Sequence, residues 1–221
     1  MGAVGELLRV LLLTVGALFP IVNPLGNAPI FLLLTRDFPS SSRTVFARKI
    51  ALNSFVLLVV SILIGTHILA FFGISLPVVQ VGGGLMVIAN GWSLLNSKDH
   101  EEARRRKENP PDPVDVSSRA FYPLTLPLTV GPGSISVAIT VGANRPQGAE
   151  AAWTTWAAEL VGPAIIALTI YLSYRFAERL GRALGDAGMN VVLRLSSFIL
   201  VCIGVQIVWN GASALLRSLS H

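Results

Sequence analysis

Prolines at Pro20, Pro24 and Pro29 recur 103 residues further on at Pro123, Pro127 and Pro132, each set in a stretch otherwise apolar enough to cross a bilayer. Proline withholds a backbone donor and its ring clashes with the preceding turn, so neither stretch can run as a straight helix. In the first, FPIVNPLGNAPIF (residues 19–31), Asn23, Gly26 and Asn27 lie between the prolines. In the second, YPLTLPLTVGPGSISVAIT (residues 122–140), Gly131 and Gly133 flank Pro132 and Ser134 follows. Backbone left unpaired at membrane depth is tolerated only where protein or a watery cavity satisfies it. Matched interruptions in two halves of a chain therefore point to the solute site of a secondary transporter, held by half-helix ends.

The chemistry expected there is recognition of a small dipolar solute. A short helix should restart near Asn27 or Ala28, with Asn as a good N-cap, and another after Gly131, with Pro132, Gly133 and Ser134 in its opening turn. Each restart would present backbone amides and a partial positive charge suited to a carboxylate. The preceding half-helices would end in carbonyls near Val22, Asn23, Thr125 and Leu126, suited to an ammonium group or a coupling cation. Glycine at Gly26, Gly131 and Gly133 lets backbone approach the solute closely, which implies a compact one. The competing reading is that proline and glycine merely bend crowded helices, both being common in membrane spans.

Among the ionisable residues, nearly every carboxylate belongs to a loop or terminus. Glu159 falls inside a span and should face the bundle, as a candidate proton carrier or as a structural link to Asn53. His67 reads as an interfacial or packed residue, and Arg194 as an anchor snorkelling to the cytoplasmic face. Gln80, Asn90, Ser93, Gln206 and Asn210 are placed to bond between helices. The run Gly82, Gly83 and Gly84 permits close helix packing within the monomer or in a homo-oligomer. Cys202, the lone cysteine, excludes an intramolecular disulfide and is expected to be a small buried residue.

The elements that must position these residues are membrane helices. The chain has 221 residues, 52% of them hydrophobic and 13% charged, too apolar for an ordinary soluble domain of that length. Apolar runs of about 20 residues occur at about 7–35, 45–72, 76–97, 119–142, 152–174 and 190–216. The first lacks the basic start and the cleavage site of a signal peptide and is expected to be retained.

Net charge is +5, which could suggest nucleic acid, but the distribution of the basic residues fits membrane topology instead. Arg36, Arg43, Arg48 and Lys49, the basic run of residues 98–107, Arg119, and Arg175, Arg179 and Arg182 fall on one side. Arg9, Arg145 and Arg217 fall on the other. The first side is assigned to the cytoplasm, with both termini outside.

Three spans precede residues 98–118 and three follow, so two homologous halves would be inverted relative to each other. The fold expected is all-α: a polytopic membrane protein of six transmembrane helices forming two inverted three-helix repeats, the first and fourth helices discontinuous. The repeats are residues 1–97 and 119–221, one membrane domain overall. Residues 98–118, charged and proline-bearing, read as a flexible cytoplasmic loop. The stretch RFAERLGRALGDAG from Arg175 puts Phe176, Leu180 and Leu184 on one helical face and is expected along the inner membrane surface.

No metal-ligand cluster, nucleophile with base, phosphate loop or nucleotide motif appears, so neither an enzyme nor a cofactor is expected.

FPIVNPLGNAPIF, PLTLPLTVGPGSIS and VQIVWNG together resemble the MarC family of six-span membrane proteins over nearly the whole chain. That family includes the SnatA-type transporters of small neutral amino acids such as glycine and alanine. The resemblance implies inverted repeats and a site at two broken helices, with Asn23, Gly26, Asn27, Thr129, Gly131, Gly133 and Ser134 as the substrate-binding residues. Members often carry an acidic residue near the ends of the third and sixth spans, where this chain has Ser93 and Asn210. That difference leaves the coupling ion open.

The reading is therefore a secondary transporter of small neutral amino acids in the inner or plasma membrane, coupled to H+ or Na+, with lipid but no nucleic acid among its partners. Two alternatives remain at this point: an ion or drug channel or exporter, and a non-transporting scaffold that binds a partner through its basic loop.

Overall fold

In the computed structural model, residues 3–35, 38–96, 120–144 and 152–219 are described. The expected loop 98–118 lies outside them. Eight helical elements follow in order: α1 (Ala3–Val22), α2 (Pro24–Leu34), α3 (Ser40–Phe71), α4 (Leu76–Asn96), the kinked α5 (Ala120–Thr129), α6 (Pro132–Ala143), α7 (Ala152–Arg175) and α8 (Ala177–Leu219). Among the described residues, five helical stretches are long and apolar enough to cross a membrane, or six if the bent pair α5 and α6 forms one broken span.

The residues turned outward explain why this bundle suits lipid. Leu12, Val56, Ile64, Leu195 and Phe198 are all exposed although strongly apolar, a pattern costly in water and favourable in hydrocarbon. Inside, helices approach through small residues. A Cβ on Gly84 would lie 2.9 Å from the Gly204 carbonyl, and one on Gly204 would lie 2.9 Å from the Gly84 carbonyl. Gly91 meets the Ser197 carbonyl in the same way. These contacts bring the backbones of α4 and α8 together, so Gly84 serves packing within this chain. Gly83 instead faces Ser136 of α6, while Gly82 opens onto empty space.

The two proline-bearing segments break differently. Between α1 and α2 the interruption is the single residue Asn23, in the left-handed region at φ 47 and ψ 57, and the two helices still make one span from Gly5 to Leu34. The restart is therefore at Pro24, not near Asn27 or Ala28, and Asn23 is its N-cap. Asparagine tolerates that conformation, and its side-chain oxygen accepts from Gly26 N at 3.1 Å. The second break is sharp: α5 and α6 are bent by 68°. Within α5, Tyr122 and Leu126, each just before a proline, hold extended backbone, as steric conflict with the proline ring requires. Gly131 caps α6 with Pro132 in its first turn, as the sequence suggests.

The amphipathic stretch after Arg175 is helical, and Gly185, at φ 65, kinks it away from the span Ala187–Leu219. Glu178 on it pairs with Arg43 and accepts from Ser40 Oγ at 3.0 Å. Arg43 Nε also donates to the Thr35 carbonyl at 3.0 Å, covering the end of α2. Residues 177–184 are thus tied to the α2–α3 junction. Cys202 is exposed on α8, contrary to the buried position expected of it; a small, weakly polar thiol costs little on a face turned to lipid.

Candidate functional site

Breaking a helix leaves carbonyls without partners, and here one side chain serves two of them. Val22 O would ordinarily receive Gly26 N–H, but that donor is used by Asn23. Leu128 O faces Pro132 in the sequence, which has no N–H to give. Asn27 Nδ2 donates to Val22 O at 2.9 Å and to Leu128 O at 3.2 Å. A primary amide has two hydrogens, so this group is fully used. Both contacts are to carbonyl oxygens, which also fixes the orientation of the amide. The two breaks, about a hundred residues apart in sequence, therefore touch through Asn27.

Beside that contact lies a cavity of about 310 Å³. Asn27, Thr129, Gly131, Gly133 and Ser134 line it together with Asn90, Ser93 and an apolar wall that includes Ile30, Leu193 and Leu200. Five of the seven residues anticipated for solute binding thus share one wall. Asn23 and Gly26 do not line it; they close on each other as cap and first turn. Glu159 is buried, 2% exposed, on α7 and away from the cavity wall. Asn53 donates to Thr125 Oγ1 at 3.4 Å.

The two restarts are unequal as anion sites. At α2, Pro24 has no N–H, Gly26 N is taken by Asn23 Oδ1, and Asn27 N returns to the Asn23 carbonyl. At α6, Gly131 has no side chain to cap the helix, and Ile135 N–H closes the first turn on Gly131 O. The Gly133 and Ser134 amides fall in that first turn, where a helix has no internal acceptors for them. Any Cβ on Gly133 would strike Val87 of α4, so that turn sits hard against α4 only because it carries glycine.

Of the carbonyls at Val22, Asn23, Thr125 and Leu126 expected to receive a cation, three are occupied: Val22 O accepts from Asn27 Nδ2, Asn23 O from Asn27 N and Thr125 O from Val130 N. Leu124 O and Leu128 O beside them are taken by Thr129 Oγ1 and Asn27 Nδ2. Among the oxygens the wall offers to a positive group are the Asn27 amide oxygen and the Thr129 hydroxyl.

The cavity lining extends to Leu34 near the end of α2, Leu94 near the end of α4, Pro123 near the start of α5 and Leu193 of α8. Those positions lie at the end of the bundle where α4 finishes and α5 begins. Away from the cavity, α6 is packed against α3: Gly142 against the Ile62 carbonyl and Gly65 against Ile139. Ser136 Oγ bonds Val79 O at 2.9 Å and fastens α6 to α4.

Sequence reasoning passed over Tyr174 and Phe31. Their rings stack at 4.5 Å with an interplanar angle of 8°, and the Tyr174 hydroxyl lies 2.9 Å from Thr129 Oγ1. Nothing in the spacing of YLSYRF distinguishes Tyr174 from an ordinary interfacial aromatic. Asn90 and Ser93, read as glue between helices, stand on the cavity wall. Gln206 donates to Asn210 along its own helix at 2.9 Å and not to a neighbour. Among the described residues, no group of three or more His, Cys, Asp or Glu gathers as a metal site.

The family model described as MarC family integral membrane protein matches residues 8–216. Over 212 residues the chain is 31% identical to the membrane protein YvbG of Bacillus subtilis, covering 92% of this chain and 94% of that one. It is 30% identical over 220 residues to the inner membrane protein MarC of Salmonella typhimurium, with 96% and 98% covered. A membrane protein of Archaeoglobus fulgidus is 28% identical over 202 residues, with 91% and 92% covered. No solved structure matches the chain.

Proposed function

This chain belongs to the MarC family of integral membrane proteins, and from that premise we propose that it is a secondary transporter of small neutral amino acids, glycine and alanine among them. The observation that carries the reading is the Asn27 bridge: one buried amide joins the two helix breaks at the wall of a cavity. At about 310 Å³, that cavity lies at the low end of the range of roughly 300–1,000 Å³ for small-molecule sites. A carboxylate is received by the α6 amides at Gly133 and Ser134, favoured by the helix dipole. The ammonium group faces the oxygens of Asn27 and Thr129. Asn23 and Gly26 contribute by shaping the α2 restart, not by touching the solute.

In this reading residues 1–97 and 119–221 are inverted repeats. The reciprocal approach of Gly84 and Gly204 is what a pseudo-two-fold axis between the third spans of the two halves produces. Basic residues put the cavity mouth on the cytoplasmic side and both termini outside. The membrane is the inner membrane, as in the name of the Salmonella relative. The α3–α6 contact is then the closed external gate, and alternating access requires it to part while the mouth closes. Glu159, buried in the bundle, is the coupling group for H+ or Na+. The chain works as a carrier and not as an enzyme.

Uptake of labelled glycine and alanine into proteoliposomes tests the proposal. Saturable uptake driven by an imposed proton or sodium gradient is expected. If purified protein moves no member of a neutral amino-acid panel under either gradient, the proposal fails.

A further inference from the structure

Thr129 has a single hydroxyl hydrogen, and the structure shows where it goes. Thr129 Oγ1 lies 2.6 Å from the Leu124 carbonyl, which can only accept. The second contact of the same oxygen, to the Tyr174 hydroxyl at 2.9 Å, must then have tyrosine as donor. With its hydrogen spent on Leu124 and one lone pair filled by Tyr174, Thr129 keeps one lone pair. It can present only an acceptor to the cavity it lines.

Asn27 is restricted in the same sense by a different route. Both of its amide hydrogens are committed to Val22 and Leu128, so its remaining polar atom is also an acceptor. Two side chains from opposite halves of the chain are therefore poised to receive hydrogen-bond donors. Neither can donate to a carboxylate.

Tyr174 is well placed to fix the direction of the Thr129 acceptor. It is 2% exposed, its ring is fixed by the stack on Phe31 of α2, and its hydroxyl reaches α5 across the bundle. A rigid ring delivering one hydrogen fixes which lone pair Thr129 has left, and so the direction from which a donor must approach.

We propose that Tyr174 is a positioning residue that directs the remaining lone pair of Thr129 at the protonated amine of the solute, making the site selective for amino acids over the corresponding carboxylic acids without the amine. The inference rests on the transport reading above and assigns one pole of that site.

The test compares binding of alanine and of propionate, which lacks the amine, to the purified full-length chain and to Tyr174→Phe, Thr129→Val and the double variant. Phenylalanine retains the stack on Phe31, so Tyr174→Phe should fold, melting a few degrees below the wild type through the loss of one buried hydrogen bond. Its alanine affinity should fall by up to about fivefold, the value of one well-directed hydrogen bond from the amine to Thr129, with weak propionate binding unchanged. Thr129→Val should lose at least as much alanine affinity, and adding Tyr174→Phe to it should cost nothing further. Equal losses for alanine and propionate, or additive losses in the double variant, would reduce Tyr174 to a structural role and overturn the inference. Unaltered alanine affinity in Tyr174→Phe overturns it as well. A wild-type chain that binds no neutral amino acid defeats the transport reading itself, a separate outcome because it appears before any variant is compared.

Discussion

Replacing Asn27 with alanine strips the donor from two carbonyls at once, and their surroundings set the cost. Val22 is 0% exposed, so its carbonyl is left unpartnered in a dry core at about 1–3 kcal/mol. Leu128 borders the cavity, where water can replace the amide, so only the net value of a hydrogen bond is lost, about 0.5–1.5 kcal/mol. Alanine returns at most about 0.7 kcal/mol through better helix propensity. The balance is a destabilisation of about 1–4 kcal/mol. For a chain of this length each kcal/mol lowers the melting temperature by about 2–4 °C, giving a fall of about 2–16 °C. Asn27→Asp keeps the shape but carries no NH2 group, so it should fall at least as far. Thermal unfolding in detergent, followed by tryptophan fluorescence, measures both variants. Because the bridge joins the two breaks, uptake should drop in each. If Asn27→Ala melts with the wild type and transports normally, the bridge holds nothing together and the argument from it is wrong.

Three further outcomes follow from packing and burial. Gly142→Ala should destabilise the chain by about 1–3 kcal/mol through overpacking, because the added Cβ meets the Ile62 carbonyl. Gly16→Ala, at a helix position with nothing within 4 Å, should instead stabilise it by about 0.5–1 kcal/mol; melting temperatures that move in the same direction for both would contradict the α3–α6 contact. Glu159→Gln should leave alanine binding intact while removing the response of uptake to an imposed ion gradient, and gradient-driven uptake at the wild-type rate would exclude Glu159 as the coupling group.

The residues themselves specify the class of fold. Apolar runs near 20 residues long can be satisfied only by spanning helices, and the expected spans fall on the observed ones to within a few residues, except that α3 begins earlier, at Ser40. Proline likewise fixes where helices break, since a missing N–H is a local covalent fact. Gly131 before Pro132 gives the α6 restart for the same reason.

What the tertiary structure decides is how each break is closed. Two asparagines stand in the first break, and only the packed chain shows that Asn23 caps α2 while Asn27 reaches the Leu128 carbonyl across the bundle. That division removes Asn23 and Gly26 from the cavity wall and leaves the α6 turn as its amide-bearing pole. Tyr174 gains its role through distance alone: its hydroxyl meets Thr129 only because α7 lies beside both α2 and α5. Local sequence sets which backbone groups lose their partners; where the replacement partners come from depends on residues far away in the chain, and that is fixed only when the helices pack.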